Sequence, residues 1–82
     1  MDIRDILSNN IVYFRIKLNM TQEKLSEKLK ASTTYISELE NGKRNISIDQ
    51  LWRISQVFNI EPHELLIRRE PVSIRRIKKH KS

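Results

Sequence analysis

The chain has 82 residues, no cysteine and one glycine, with 16 Lys and Arg against 10 Asp and Glu, a net charge of +6. That length suits one small domain, and the missing cysteines exclude a disulfide framework or a zinc–cysteine site and fit a reducing cytosol. No apolar run approaches the ~20 residues of a membrane span, and the start, Met1-Asp2-Ile3-Arg4-Asp5, lacks the basic character of a signal peptide, so the expectation is a soluble, cytoplasmic protein.

Scarce Gly and Pro argue against an all-β fold, and helical periodicity runs through the chain instead. Ile3, Leu7, Ile11, Phe14 and Leu18 recur three or four residues apart, which predicts one apolar helix face capped by Asp2, with a weak spot at Ser8-Asn9-Asn10. Thr21 then precedes Gln22-Glu23-Lys24 as the cap of a short second helix whose buried edge is Leu25 and Leu29. Lys30-Ala31 leaves room only for a turn before Ser32 caps a third helix, with Ile36 and Leu39 inward and an end near Asn41-Gly42. Ser47 and Gln50 have the form of a capping box, opening a fourth helix with Ile48, Leu51, Ile54 and Phe58 inward. Glu61-Pro62 starts a fifth, carrying Leu65 and Leu66. Pro71 follows, and Val72 to Ile77 reads either as a short strand or as an arm.

Charge divides the chain in two. Residues 1–67 hold nine basic and nine acidic side chains, whereas 68–82 hold seven basic ones and only Glu70. The domains expected are therefore a neutral helical body at 1–67 and a basic tail at 68–82. Such a tail points to a polyanion, either nucleic acid or an anionic membrane surface, or is simply a solvated terminus.

Two short helices joined by a turn of about four residues make a helix-turn-helix, and residues 21–41 have that spacing. The exposed side chains of its second helix, Thr33, Thr34, Ser37 and Glu38, are small or polar, as entry into a major groove requires. Glu38 can accept from a cytosine amine or face solvent. The loop Gly42-Lys43-Arg44-Asn45 sets two cations and an amide where a phosphate strand would pass. The only histidines are His63 and His80, and no carboxylate pair or glycine-rich loop suggests an enzyme, a cofactor or a metal.

Met20 to Leu25, Tyr35 to Lys43 and Leu51 to Ile60 together resemble the Cro/C1 (XRE) type of helix-turn-helix domain of phage repressors and small bacterial regulators. The likeness spans Ile11 to Leu66, and Tyr35-Ile36-Ser37 with Arg44-Asn45-Ile46-Ser47 is most similar to restriction–modification controller proteins. It implies an all-α, five-helix, lambda-repressor-like fold. It counts Thr21 among the DNA-binding residues, has Gln22 touch a phosphate and brace a base contact, turns Thr33, Thr34, Ser37 and Glu38 to the groove, sets Tyr35 beside the backbone, and gives Lys43, Arg44 and Asn45 to a phosphate clamp. Arg15 and Glu40 match an ion pair between first and third helices. Two positions depart from the pattern: Ser26 replaces the usual Ala, and Lys30 the usual turn Gly, where a positive φ costs a side chain about 1 kcal/mol.

The function expected is a transcriptional regulator, repressor or controller, that reads a promoter operator in double-stranded DNA as a homodimer. The dimer surface expected is Ile60, Leu66 and Ile67, with Trp52 and Val57; Trp52 otherwise edges the core. The alternatives are a DNA-binding antitoxin that also holds a toxin, and a membrane-surface module working through the tail. RNA polymerase is a further candidate partner.

Overall fold

The computed structural model describes residues 2–72. Helix α1 spans Ile3–Lys17. Asp2 Oδ1 accepts from the backbone N–H of Arg4 at 2.8 Å and of Asp5 at 3.3 Å, while Asp5 Oδ2 accepts from the N–H of Asp2 at 3.2 Å. These two N–H donors, that of Asp5 above all, hold the Asp2 carboxyl below its ordinary value. The helix runs unbroken through Ser8-Asn9-Asn10, against expectation, because Asn10 is fully buried and bonded rather than competing with its own backbone. Of the apolar stripe, Leu7, Ile11 and Phe14 enter the core, but Ile3 and Leu18 are exposed at the two overhanging ends.

Helices α2 (Gln22–Leu29), α3 (Thr33–Glu40) and α4 (Ile48–Phe58) follow, each opened by a hydroxyl cap, Thr21, Ser32 or Ser47. Ser47 caps through Gln50 N–H at 3.0 Å, but the Gln50 side chain donates to Tyr35 Oη at 3.3 Å, so the expected capping box is only half made. Ile48 does not face inward: it is 83% exposed, since the first turn of α4 projects beyond its neighbours. The fifth element is a 3-10 helix, Pro62–Leu66, in place of the expected α-helix. It has only five residues, and Glu64 N–H bonds back three residues to the Glu61 carbonyl at 3.0 Å. Leu65 enters the core and Leu66 stays exposed.

Leu7, Ile11 and Phe14 meet Leu25, Leu29, Ile36, Leu39, Ile54, Phe58 and Leu65 in one cluster. Each buried side chain of this size contributes about 1.5–3 kcal/mol. The chain then turns back along α1. Asn10 Nδ2 donates to the carbonyls of Leu65 at 2.7 Å and Ile67 at 2.8 Å, and Arg69 Nη1 donates to Asn10 Oδ1 at 2.7 Å and to the Glu64 carbonyl at 2.8 Å. The Arg69 guanidinium lies 4.9 Å from the ring centroids of both Tyr13 and Phe14. Asn9 Nδ2 donates to the Glu70 carbonyl at 3.1 Å, and Val72 N–H donates to Asn9 Oδ1 at 2.7 Å. Residues 68–72, grouped with the tail by charge, thus lie against the helical body. The possible strand from Val72 to Ile77 and the cations beyond it fall, except for Val72, outside the described residues.

Candidate nucleic-acid interface

The turn between α2 and α3 is built locally. Lys30 adopts the left-handed conformation, φ 56° and ψ 45°, and Ala31 N–H bonds back to the Ser26 carbonyl at 2.9 Å. The turn therefore keeps the form a glycine would give it, with lysine bearing the strain. Ser26 is buried and satisfies its hydroxyl on the Glu23 carbonyl at 2.7 Å, so it fits where Ala is usual. Ser32 Oγ accepts from Tyr35 N–H at 3.1 Å and starts α3.

Ile36 and Leu39 fix α3 by burial, which turns Thr33, Thr34, Ser37 and Glu38 to the other side. Those four share one open concavity with Gln22 and Lys43. Asn41 also lines it and was missed. Its signal was available, since it stands one turn beyond Ser37 and bonds to the Ser37 carbonyl at 2.9 Å.

The Arg15–Glu40 pair forms as expected. Arg15 Nε donates to Glu40 Oε2 at 2.6 Å and Nη2 to Oε1 at 3.1 Å, with the side chains only 11% and 5% exposed. Arg15 Nη1 also donates to the Met20 carbonyl at 2.9 Å. Gln22 joins this network, its Nε2 donating to Glu40 Oε1 at 2.9 Å, so it braces the far end of α3 as well as lining the concavity. Thr21 is engaged as the α2 cap, its Oγ1 accepting from Lys24 N–H at 2.9 Å.

The loop after α3 is more ordered by side chains than its sequence suggests. Arg44 Nε donates to Glu38 Oε1 at 2.7 Å, both side chains being about half exposed, and its guanidinium lies 5.2 Å from the Tyr35 ring centroid. In the free protein Glu38 is thus paired with Arg44. Asn45 Oδ1 accepts from Arg4 Nη1 at 3.5 Å, a contact between residues 41 positions apart that no local pattern announces. Lys43 is exposed at the rim. Of the apolar residues assigned to a dimer surface, Trp52 (56% exposed), Leu66 and Ile67 are open, whereas Val57 and Ile60 are half-buried against the core.

This arrangement presents short donors and acceptors on a braced helix, with cations on the loop beside it, which suits base edges flanked by phosphates. A helix-turn-helix family model matches residues 11–65. The chain is 38% identical over 66 residues to the control protein C.BamHI of Bacillus amyloliquefaciens, covering 79% of this chain and 82% of that one. It is 34% identical over 68 residues to the control protein C.SmaI of Serratia marcescens, covering 83% and 81%. Among solved structures, it resembles the restriction–modification controller protein C.Esp1396I, a tetramer in complex with its natural 35 base-pair operator, with a TM-score of 0.68, 28% identity and coverage of 82% and 99%. Fold and relatives agree: the chain belongs to the helix-turn-helix family of Cro/C1-type DNA-binding transcriptional regulators, and within it is similar to restriction–modification control proteins.

Proposed function

We propose that the protein is a cytoplasmic transcriptional controller that binds an operator as a homodimer and reads each half-site with α3. One observation carries this reading: Thr33, Thr34, Ser37 and Glu38 stand together on an exposed face of a helix whose opposite face is locked in the core. Thr34 and Thr33, in the first turn, meet base edges; Lys43, Arg44 and Asn45 meet phosphate, with Arg44 exchanging Glu38 for it. A single small domain gains too little interface for tight specific binding, so two copies read two half-sites about one helical turn apart. Trp52, Leu66 and Ile67 supply exposed apolar side chains for pairing, with the half-buried Val57 and Ile60 as further candidates. The control proteins among the relatives support this reading and lend none to an antitoxin. The cations of the tail, apart from Arg69, which is bonded into the body, add sequence-independent affinity, strongest at low salt.

The test begins with duplexes enriched from a random pool by the full chain. Thr34→Ala should weaken binding to them by about 1–2 kcal/mol, and to unselected duplex much less. Arg44→Ala should weaken both alike, because a phosphate contact carries no base information. If Arg44→Ala instead changes the preferred sequence while Thr34→Ala lowers both affinities in proportion, readers and clamps are exchanged. Sedimentation at micromolar concentration should show two chains; a strict monomer both free and on DNA overturns the dimer.

A further inference from the structure

Arg44 is docked on α3 by a turn, an ion pair and an aromatic face. Gly42 (φ 70°) reverses the chain at the end of the helix, and Lys43 N–H bonds to the Glu38 carbonyl at 2.9 Å. The reversal brings Arg44 back to the side chain six positions before it, where Arg44 Nε donates to Glu38 Oε1 at 2.7 Å. The guanidinium also lies 5.2 Å from the Tyr35 ring centroid, and Gln50 of α4 donates to Tyr35 Oη at 3.3 Å. Lys43, in the same loop, enters no ion pair among the described residues. The two loop cations are thus in different states: one is free and one is held.

The residue that holds Arg44 is the one acid among the side chains lining the α3 concavity. An ionised carboxylate only accepts hydrogen bonds. In a major groove guanine and thymine offer it acceptors, adenine sets an acceptor beside its amine, and cytosine presents its N4 amine. Phosphates repel it at every site. Both Glu38 and Arg44 are about half exposed, so their pair can open without disturbing the core, and an exposed pair of this kind shifts an equilibrium by about two- to fivefold. Any duplex can draw Arg44 to a phosphate, because phosphates carry no sequence. Drawing it away leaves the Glu38 carboxylate bare, and only an amine on a base edge gives it a new donor.

We propose that Glu38 and Arg44 form a latch that makes Glu38 a specificity-determining residue: phosphate takes Arg44 from it on every duplex, and the N4 amine of a cytosine facing α3 is the group that replaces Arg44. The inference rests on the operator-binding reading above and adds to it the base that Glu38 selects. On other sequences the carboxylate is left against acceptors and binding is weaker. Glu38 therefore works chiefly by lowering affinity for wrong sites. Arg44 itself carries no base information, and its loss weakens all duplexes alike.

The full chain and its Glu38→Ala variant each enrich duplexes from a random pool, and their affinities for one unselected duplex are titrated at a fixed salt concentration. Glu38 faces away from the core, and far-ultraviolet circular dichroism checks that the helices of the variant persist. The wild type should enrich a cytosine at one position of each half-site, and in Glu38→Ala the preference for it should fall about tenfold. Glu38→Ala should also bind the unselected duplex about threefold more tightly. That gain should be largely lost when Arg44→Ala is already present, since no pair is then left to break. Identical enriched sequences from the two proteins, a lost preference for some base other than cytosine, or an unchanged affinity for the unselected duplex would each overturn the proposal while leaving operator binding intact. So would a gain just as large in the Arg44→Ala background, which would be plain charge repulsion. Failure of the wild type to enrich any duplex would overturn both.

Discussion

The α2–α3 unit and the Ile67–Val72 segment both rest on α1, but they are held by different chemistry. The first is tied down by a charged network, Arg15 and Gln22 on Glu40. The second is tied by neutral amides, Asn9 and Asn10, with a single guanidinium laid over Tyr13 and Phe14. Each is also reached through the same kind of corner. Lys30 (φ 56°, ψ 45°) ends α2 and Asn59 (φ 58°, ψ 46°) ends α4, and four residues before each stands a buried serine, Ser26 or Ser55, bonded to the carbonyl three residues back. The difference teaches what each region is for. A near-buried ion pair fails steeply when one partner is lost, which suits the proposed role of α3, where one orientation must be kept. Amides bonded to backbone fix the path of Ile67–Val72 with Arg69 as the one charge in the lock.

The largest expected effect comes from breaking the charged side. Glu40→Ala strands Arg15, only 11% exposed, and should cost about 3–5 kcal/mol, a fall in Tm of well over ~10 °C for a domain this size. The loss should show in thermal melting before any DNA is added; unchanged melting would mean the pair contributes nothing. Asn10→Ala, on the neutral side, leaves the Leu65 and Ile67 carbonyls and Arg69 without their partner and should cost about 2–3 kcal/mol. Were it as harmless as a surface change, the amide lock would be ornamental.

The legibility of the two regions differs for the same reason. The α2–α3 unit is written in adjacent residues: Thr21 and Ser32 as caps, Leu25, Leu29, Ile36 and Leu39 as period-matched core, with Thr33, Thr34, Ser37 and Glu38 left over for the exposed face. Even the strain at Lys30 could be read in advance from its place in the motif. The C-terminal segment is written across more than 50 positions, from Asn10 to Leu65 and Ile67, and Asn9-Asn10 reads locally as a helix breaker. Side-chain pairing on the surface escaped as well: Glu38 with Arg44, and Arg4 with Asn45, depend on where a loop folds back. Periodicity also runs on past the end of packing, which is why Ile3, Leu18 and Ile48 looked buried and are not.

The two corners allow a finer comparison. Lysine tolerates the left-handed conformation poorly and asparagine well. Lys30→Gly should therefore raise stability by about 0.5–1 kcal/mol, while Asn59→Gly should change it by no more than about 0.5 kcal/mol. Urea midpoints of the two variants at constant slope decide it; equal gains would show that the corners carry equal strain. The smallest effect belongs to Asp2. Its carboxyl is held below the ordinary value near 3.8 by the N–H groups of Asp5 and Arg4. A lowered folded value means that this contribution is present above the unfolded value and fades as pH falls through the folded one. Acidifying from pH 5 to pH 3 should thus destabilise the wild type slightly more than Asp2→Ala, seen as a narrowing gap between their melting curves.

The bracing of α3 has a consequence for the thermodynamics of association. Eight residues are too few for a helix to persist alone in water, so the order of α3 is borrowed from Ile36, Leu39 and Glu40. That ordering entropy is settled when the protein folds, long before it meets a ligand. On the proposed reading, a duplex arriving at Thr33 and Thr34 finds the helix already formed, and the free energy of contact goes into discrimination between sequences rather than into folding the surface that discriminates.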